Sequence, residues 1–243
     1  MRAGDLVFSS STWQQPMPPQ PSPARRDVVA YVVESIDALG STRLRVAIDG
    51  LTAAGKTSFG HEIARGIADL GRQALRASLD DFKRAWRDAH LYDRTSGEGY
   101  YRNAFDYDAA RRLLLEPVGP QGPGIVALCS IDPITQIDHA AVVVPMSSDG
   151  VLIVDGVFAF RPELNELWDL RIWLDVDPEL SVRRGTQRDT ELEGDADAAE
   201  ALHRSRYLPA EMIYLDEVDP RRAADIVIDN RDFGLPRVLH RSE

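Results

Sequence analysis

A parallel α/β sheet with helices on both faces is the architecture expected of this 243-residue chain. Three observations point to it. Short apolar runs at 43–49, 73–79, 151–155, 170–175 and 224–229 alternate with longer helical segments. That alternation links successive strands by right-handed crossovers and makes the sheet parallel. The run Val151-Leu-Ile-Val-Asp155 is apolar without a break, as in a strand covered on both faces. The first strand leads directly into Gly50-Leu51-Thr52-Ala53-Ala54-Gly55-Lys56-Thr57, which fits G-x-x-x-x-G-K-[ST] at every fixed position. A helix marked by Phe59, Ile63 and Ile67 follows.

The loop chemistry explains its residue types. A triphosphate is a compact polyanion, and successive backbone N–H groups can surround it where the chain turns tightly. Gly50 and Gly55 allow that turn, and the helix beginning near Ser58 aims unpaired N–H groups and a partial positive charge at the anion. Lys56 should reach the β- and γ-phosphates, and the Thr57 hydroxyl should ligate Mg²⁺. The chain has two lysines, Lys56 and Lys83, against 26 arginines, so one of only two stands where the motif demands lysine.

At 44% hydrophobic residues the chain can bury a sizeable core. A net charge of −11 argues against broad electrostatic binding to nucleic acid or an anionic membrane. The longest apolar runs, near 140–145 and 151–160, are too short to span a bilayer, and no secretory signal pattern opens the chain. The single cysteine, Cys129, excludes an intramolecular disulfide and suits a reducing cytoplasm. The expected partner is a small molecule; a homo-oligomer is left open.

Residues 1–23 carry five prolines between Pro16 and Pro23 and are expected as a flexible tail, with Leu6-Val7-Phe8 having the make-up of an added edge strand. One domain should occupy 24–236. It opens with a helix over 24–39, apolar at Val28, Val32, Ile36 and Leu39. The strand at 73–79 ends in Asp80-Asp81-Phe82. Functional groups collect beyond the carboxyl ends of parallel strands, so Asp80 and Asp81 are candidates for catalysis; capping the next helix is the alternative. Residues 83–105 are dense in Arg, Tyr and Trp, and Lys83, Tyr100, Tyr101, Arg102 and Phe105 suit a planar or sugar-like ligand, or packing onto the domain. A helix over 106–115 and two strands, 125–130 and 140–145, complete an inserted lobe at about 83–147, a natural place to bind an acceptor.

Asp155, at the end of its strand, suits Mg²⁺, held directly or through water; a turn-forming Asp-Gly pair is the alternative. A helix over 178–189 presents Arg184 and Arg188 on one face. They could stabilise charge on a transferred phosphoryl group, or pair with Asp189, Glu191 and Glu193. Together with Arg204 and Arg206 they define a candidate lid over about 183–207.

The succession of phosphate loop, SLDDF at 78–82, AFDYDAARRLLLEPV at 104–118, VLIVDGVFAF at 151–160 and RRGTQRD at 183–189 resembles the uridine kinase branch of the P-loop kinases. That branch also includes phosphoribulokinase-like and pantothenate kinase-like enzymes. The resemblance covers about residues 25–232. It implies a three-layer P-loop NTPase fold with a five-stranded parallel sheet, order 2-3-1-4-5, plus the hairpin and a helical lid. It implies ATP and Mg²⁺, and γ-phosphoryl transfer to a hydroxyl, most readily of a nucleoside such as uridine or cytidine. Asp80 maps onto the base, Asp155 onto the metal-site acid, and Arg184 and Arg188 onto lid arginines. The chain departs from the family pattern at Lys83, where those kinases carry Tyr, over Glu98–Asp106, and at Glu193-Gly-Asp-Ala, where a second arginine group is missing. Another small alcohol, pantothenate-like or a sugar phosphate, and a regulatory module without acceptor phosphorylation stay open. An Asn-Lys-x-Asp guanine motif, a Leu-Ser-Gly-Gly-Gln signature and a G-x-G-x-x-G dinucleotide loop are all absent.

Overall fold

The computed structural model describes residues 4–12 and 20–241; the proline-rich run 13–19, expected as tail, lies outside the described residues. In chain order the elements are β1 (Leu6–Phe8), α1 (Pro23–Asp37), β2 (Leu44–Gly50), α2 (Lys56–Asp69), β3 (Ala74–Ser78), α3 (Gly97–Asn103) and α4 (Tyr107–Ala109). The hairpin strands β4 (Ile125–Ala127) and β5 (Val143–Pro145) come next, then β6 (Val151–Asp155), α5 (Pro162–Asn165), β7 (Leu170–Asp175) and α6 (Pro178–Glu193). The chain closes with α7 (Ala196–Leu202), α8 (Leu208–Val218), α9 (Pro220–Ala223), β8 (Ile226–Asp229) and β9 (Arg237–Arg241).

The main sheet has seven strands rather than five, in the order β1-β3-β6-β2-β7-β8-β9. Two edges account for the difference. Leu6 to Phe8 pair in parallel with Ala74 to Arg76, and Phe8 sets its ring edge-on against His61, 5.1 Å between centroids. At the other edge β9 runs antiparallel to β8. Its exposed Arg237 and His240 place charge and polarity on this edge, which discourages strand addition by other chains. Residues 4–12 are therefore part of the fold and no appendage. Thr12 closes the contact by donating its backbone N–H and its hydroxyl to Asp132, in the loop between β4 and β5.

Strands β2 and β6 are buried at every residue, which explains the apolar run Val151 to Val154 in β6. They pair in register from Leu44 with Val151 to Ile48 with Asp155. The expected helix over 106–115 is present, but it widens to a π-helical turn over Ala110–Leu115. The hairpin is shorter than expected, three residues to a strand. No helix among the described residues is long and apolar enough to cross a membrane.

Helices α1 and α2 are joined by a buried ion pair. Arg25 meets Glu62 at 2.7 Å, with side-chain exposures of 1% and 8%, and its guanidinium lies 3.8 Å from the Phe233 ring centroid. Removing one partner strands the other charge in the interior. Glu62→Ala is expected to cost about 3–5 kcal/mol of unfolding free energy by denaturant titration. A loss below about 1 kcal/mol would show that Arg25 regains solvent.

Candidate active site

The carboxyl ends of β2, β3 and β6 converge at one edge of the sheet. There β2 hands over to the glycine loop, β3 to the turn Leu79–Phe82, and β6 ends on Asp155. A cavity of about 370 Å³ opens at this edge.

The loop geometry depends on its glycines. A Cβ on Gly50 would meet the Leu174 carbonyl oxygen at 2.8 Å. Gly55 adopts φ +92, and a Cβ there would lie 2.9 Å from Asn230 Nδ2. Between them Ala53 also takes a left-handed backbone, φ 56. Gly55 caps α2 without a side-chain hydrogen bond, so the first N–H groups of the helix are left for a ligand. Thr52, Ala53, Gly55, Lys56, Thr57 and Ser58 line the cavity, whereas Gly50, Leu51 and Ala54 lie beneath it.

Lys56 is buried, and its Nζ donates to the carbonyls of Gly50 (2.9 Å) and Leu51 (2.8 Å). Burial lowers its pKa against the pull of Asp49, Glu211, Asp155 and Asp80 around it. Two of these acids were not anticipated. Glu211, on α8, accepts a hydrogen bond from the Thr52 N–H, and burial pushes its carboxyl up. Asp49 is fully buried, accepts from the Tyr214 hydroxyl and the Gly50 N–H, and is pushed by burial up to about 6. The folded state thus holds this proton more tightly than the unfolded chain, with its ordinary value of 3.8. Stability linked to it is fully present below pH 3.8 and is lost as pH rises through 6. Asp49→Asn removes the titration. Its stability relative to the parent should improve by up to about 3 kcal/mol between pH 4 and pH 7.5, read by denaturant titration at both. A constant difference would reject the assignment.

Thr57 Oγ1 donates to Asp155 Oδ2 at 2.6 Å, and Arg76 pairs with Asp155 Oδ1 at 2.6 Å, both partners 3% exposed. Arg76 neutralises the acid and fixes its plane, presenting Oδ2 beside the threonine hydroxyl. Two adjacent hard oxygens at the foot of a phosphate loop fit Mg²⁺, which takes few protein ligands and completes its shell with water and phosphate oxygens. The described residues contain no cluster of three or more His, Cys, Asp or Glu able to hold a metal.

The adjacent acids of the β3 turn part company. Asp80 faces the cavity and forms a 2.8 Å ion pair with Lys83. Burial raises its pKa, but Lys83, Lys56 and Arg188 together hold it below the ordinary carboxylate range, so it stays ionised. Asp81 is buried on the far side of the turn, near Ser9 and Ser11, and burial pushes it up to about 7. It does not line the cavity, because the short 3₁₀ turn sends successive side chains in different directions.

Tyr100 and Lys83 line the cavity, but three other acceptor candidates do not. Tyr101 is buried against Phe158 and Tyr214. Phe105 packs behind Tyr100 and against Phe158. Arg102 points outward to Glu98 and Glu217. The helical winding of α3 separates Tyr100, Tyr101 and Arg102. Arg184 and Arg188 both face the cavity. Arg188 pairs with Asp189 at 2.6 Å, while Arg184 donates to the carbonyls of Asn230 and Arg231. The side chains of Glu191 and Glu193, anticipated as partners, lie outside the described ones. Tyr207, also on the cavity wall, was not singled out.

No protein-family model matches the chain. The uridine kinase of Leuconostoc citreum is 25% identical over 160 residues, 64% of this chain and 73% of that one. The uridine kinase of Halobacterium salinarum is 25% identical over 189 residues, 75% of this chain and 78% of that one. At this level the chain is similar to the uridine kinase-like P-loop kinases. The fold agrees: a possible uridine kinase from Bacillus stearothermophilus superposes with a TM-score of 0.61 at 22% identity, covering 84% of this chain and 96% of that one. The likeness to these relatives supports a small-molecule kinase.

Proposed function

We propose that this P-loop kinase transfers the γ-phosphoryl group of ATP to a hydroxyl of a small molecule. The observation that carries the proposal is the position of Asp80. It stands on the wall shared by the phosphate-loop cavity and a second cavity beside it, so one carboxylate faces both a donor and an acceptor. The loop amides and Lys56 hold the phosphates. Thr57 and Asp155 would hold Mg²⁺, which when bound supplies neutralising charge between the phosphates. Asp80, kept ionised by Lys83, orients the acceptor hydroxyl. The bond from γ-phosphorus to the ADP oxygen breaks as the bond to the acceptor oxygen forms, and the hydroxyl proton passes to Asp80. Held below the ordinary carboxylate range, Asp80 aligns the hydroxyl and takes its proton late, which suits a loose transition state. Arg184 and Arg188 face the same space and offset charge on the transferred group.

In this reading residues 83–147 form the acceptor lobe, 183–207 the lid, and the buried thiol of Cys129 suits a cytoplasmic setting. The relatives' name makes nucleosides the first class to assay. Acceptor-dependent ADP release from Mg·ATP, with a phosphorylated product seen by mass spectrometry, is the expected result across a panel of nucleosides, sugars, sugar phosphates and hydroxy acids. Turnover indifferent to every acceptor would overturn the proposal.

A further inference from the structure

The second cavity, about 540 Å³, adjoins the phosphate-loop cavity through Asp80, Lys83, Tyr100 and Tyr207. Its charge is unusual for a chain of net −11. Lys83, Arg84, Arg94 and Arg206 line it against two acids, Asp80 and Asp93. Asp80 is taken by Lys83. Asp93 is occupied by Thr95 and Ser96. Among the described residues no carboxylate forms an ion pair with Arg84, Arg94 or Arg206, all three half-buried. The Nε–H groups of Arg84 and Arg206 are shielded from solvent and have no hydrogen-bond partner. Buried donors are normally satisfied, so two unpaired guanidinium N–H groups at one cavity point to an absent acceptor of hydrogen bonds.

Two of the aromatic rings beside them already carry a cation. Arg84 lies 4.6 Å from the centroid of Tyr92, and Arg206 lies 4.6 Å from that of Tyr100. Each guanidinium covers one side of its ring, leaving the exposed Trp86 as the uncovered ring of this lining, and the guanidinium forks suit carboxylate or phosphate oxygens. Resting on the kinase reading above, the geometry points to an acceptor that carries a negative charge of its own: a small alcohol bearing a carboxylate or phosphate group, held by Arg84 and Arg206 with its hydroxyl at Asp80. A neutral nucleoside would leave both arginines unanswered.

The test is calorimetric binding with the phosphate loop first saturated by Mg²⁺ and a non-hydrolysable ATP analogue. The probes are matched pairs, ribose 5-phosphate against ribose and glycerate against glycerol, with uridine alongside. At least one anion should bind tenfold or more tightly than its neutral counterpart and than uridine, the successful pair distinguishing phosphate from carboxylate. The Arg84→Gln/Arg206→Gln double variant should erase that preference while binding the analogue as the parent does. Neutral probes binding as well as the anions, no binding by any anion, or a preference surviving in the double variant would overturn the inference. Turnover separates it from the parent proposal. A neutral alcohol phosphorylated in preference to the anions defeats the charged acceptor and leaves the kinase standing. Anion preference in binding without acceptor-dependent ADP release defeats the kinase and leaves the pocket assigned.

Discussion

Asp80→Asn is expected to lower turnover by about 10²–10⁴-fold while Mg·ATP affinity stays within a few-fold of the parent. The amide keeps the shape of the carboxylate but cannot take the acceptor's proton. It also frees Lys83 from its 2.8 Å partner, leaving an uncompensated cation at the reacting hydroxyl. Steady-state kinetics with a nucleotide titration will read both effects. Asp81→Asn is the contrast. Asp81 faces the interior and is pushed by burial up to about 7, so the amide resembles its protonated form. That variant should keep parental turnover. Equal turnover in the Asp80 variant, or equal losses in the two, would remove Asp80 from the reaction.

Lys56→Ala should lower kcat/KM by about 10²–10³-fold, the scale for deleting one preorganised group that stabilises developing charge. A second effect follows from its surroundings. Lys56 is the cation among Asp49 and Glu211, two acids already raised by burial. Without it their ionisation becomes harder, and the variant should lose stability relative to the parent as pH rises from 5 to 8. Melting curves across that range check the shift. Parental kcat/KM together with a parental pH profile would contradict the place given to this lysine.

The linear features of the sequence were the readable ones. The glycine loop is a continuous string whose residue types are fixed by the backbone path, and the buried strand β6 announces itself by an apolar run and β2 by alternating Leu44, Val46 and Ile48. Neighbouring residues were harder to tell apart. Asp80 and Asp81 differ only by one step of a tight turn, and Tyr100, Tyr101 and Arg102 by steps of a short helix, so composition could not say which faces the cavity. Pairings across the fold were beyond reach. Arg76 meets Asp155 because β3 and β6 lie side by side in register. Glu211 reaches the Thr52 N–H from 159 residues away. An arginine in an apolar strand and an acid directly before Gly50 were the visible signals, and neither names its partner. Leu6 to Phe8 had the composition of a strand, but an edge position is set by the open side of β3.

Every role assigned here depends on the glycine loop receiving the phosphates of a nucleotide beside Thr57 and Asp155. Calorimetric titration of a non-hydrolysable ATP analogue with Mg²⁺ into the whole chain measures this directly. One saturable site per chain is expected, weakened when Mg²⁺ is chelated and when Lys56 is replaced by Ala. No heat of binding at millimolar analogue, or binding that ignores both Mg²⁺ and Lys56, would contradict the account.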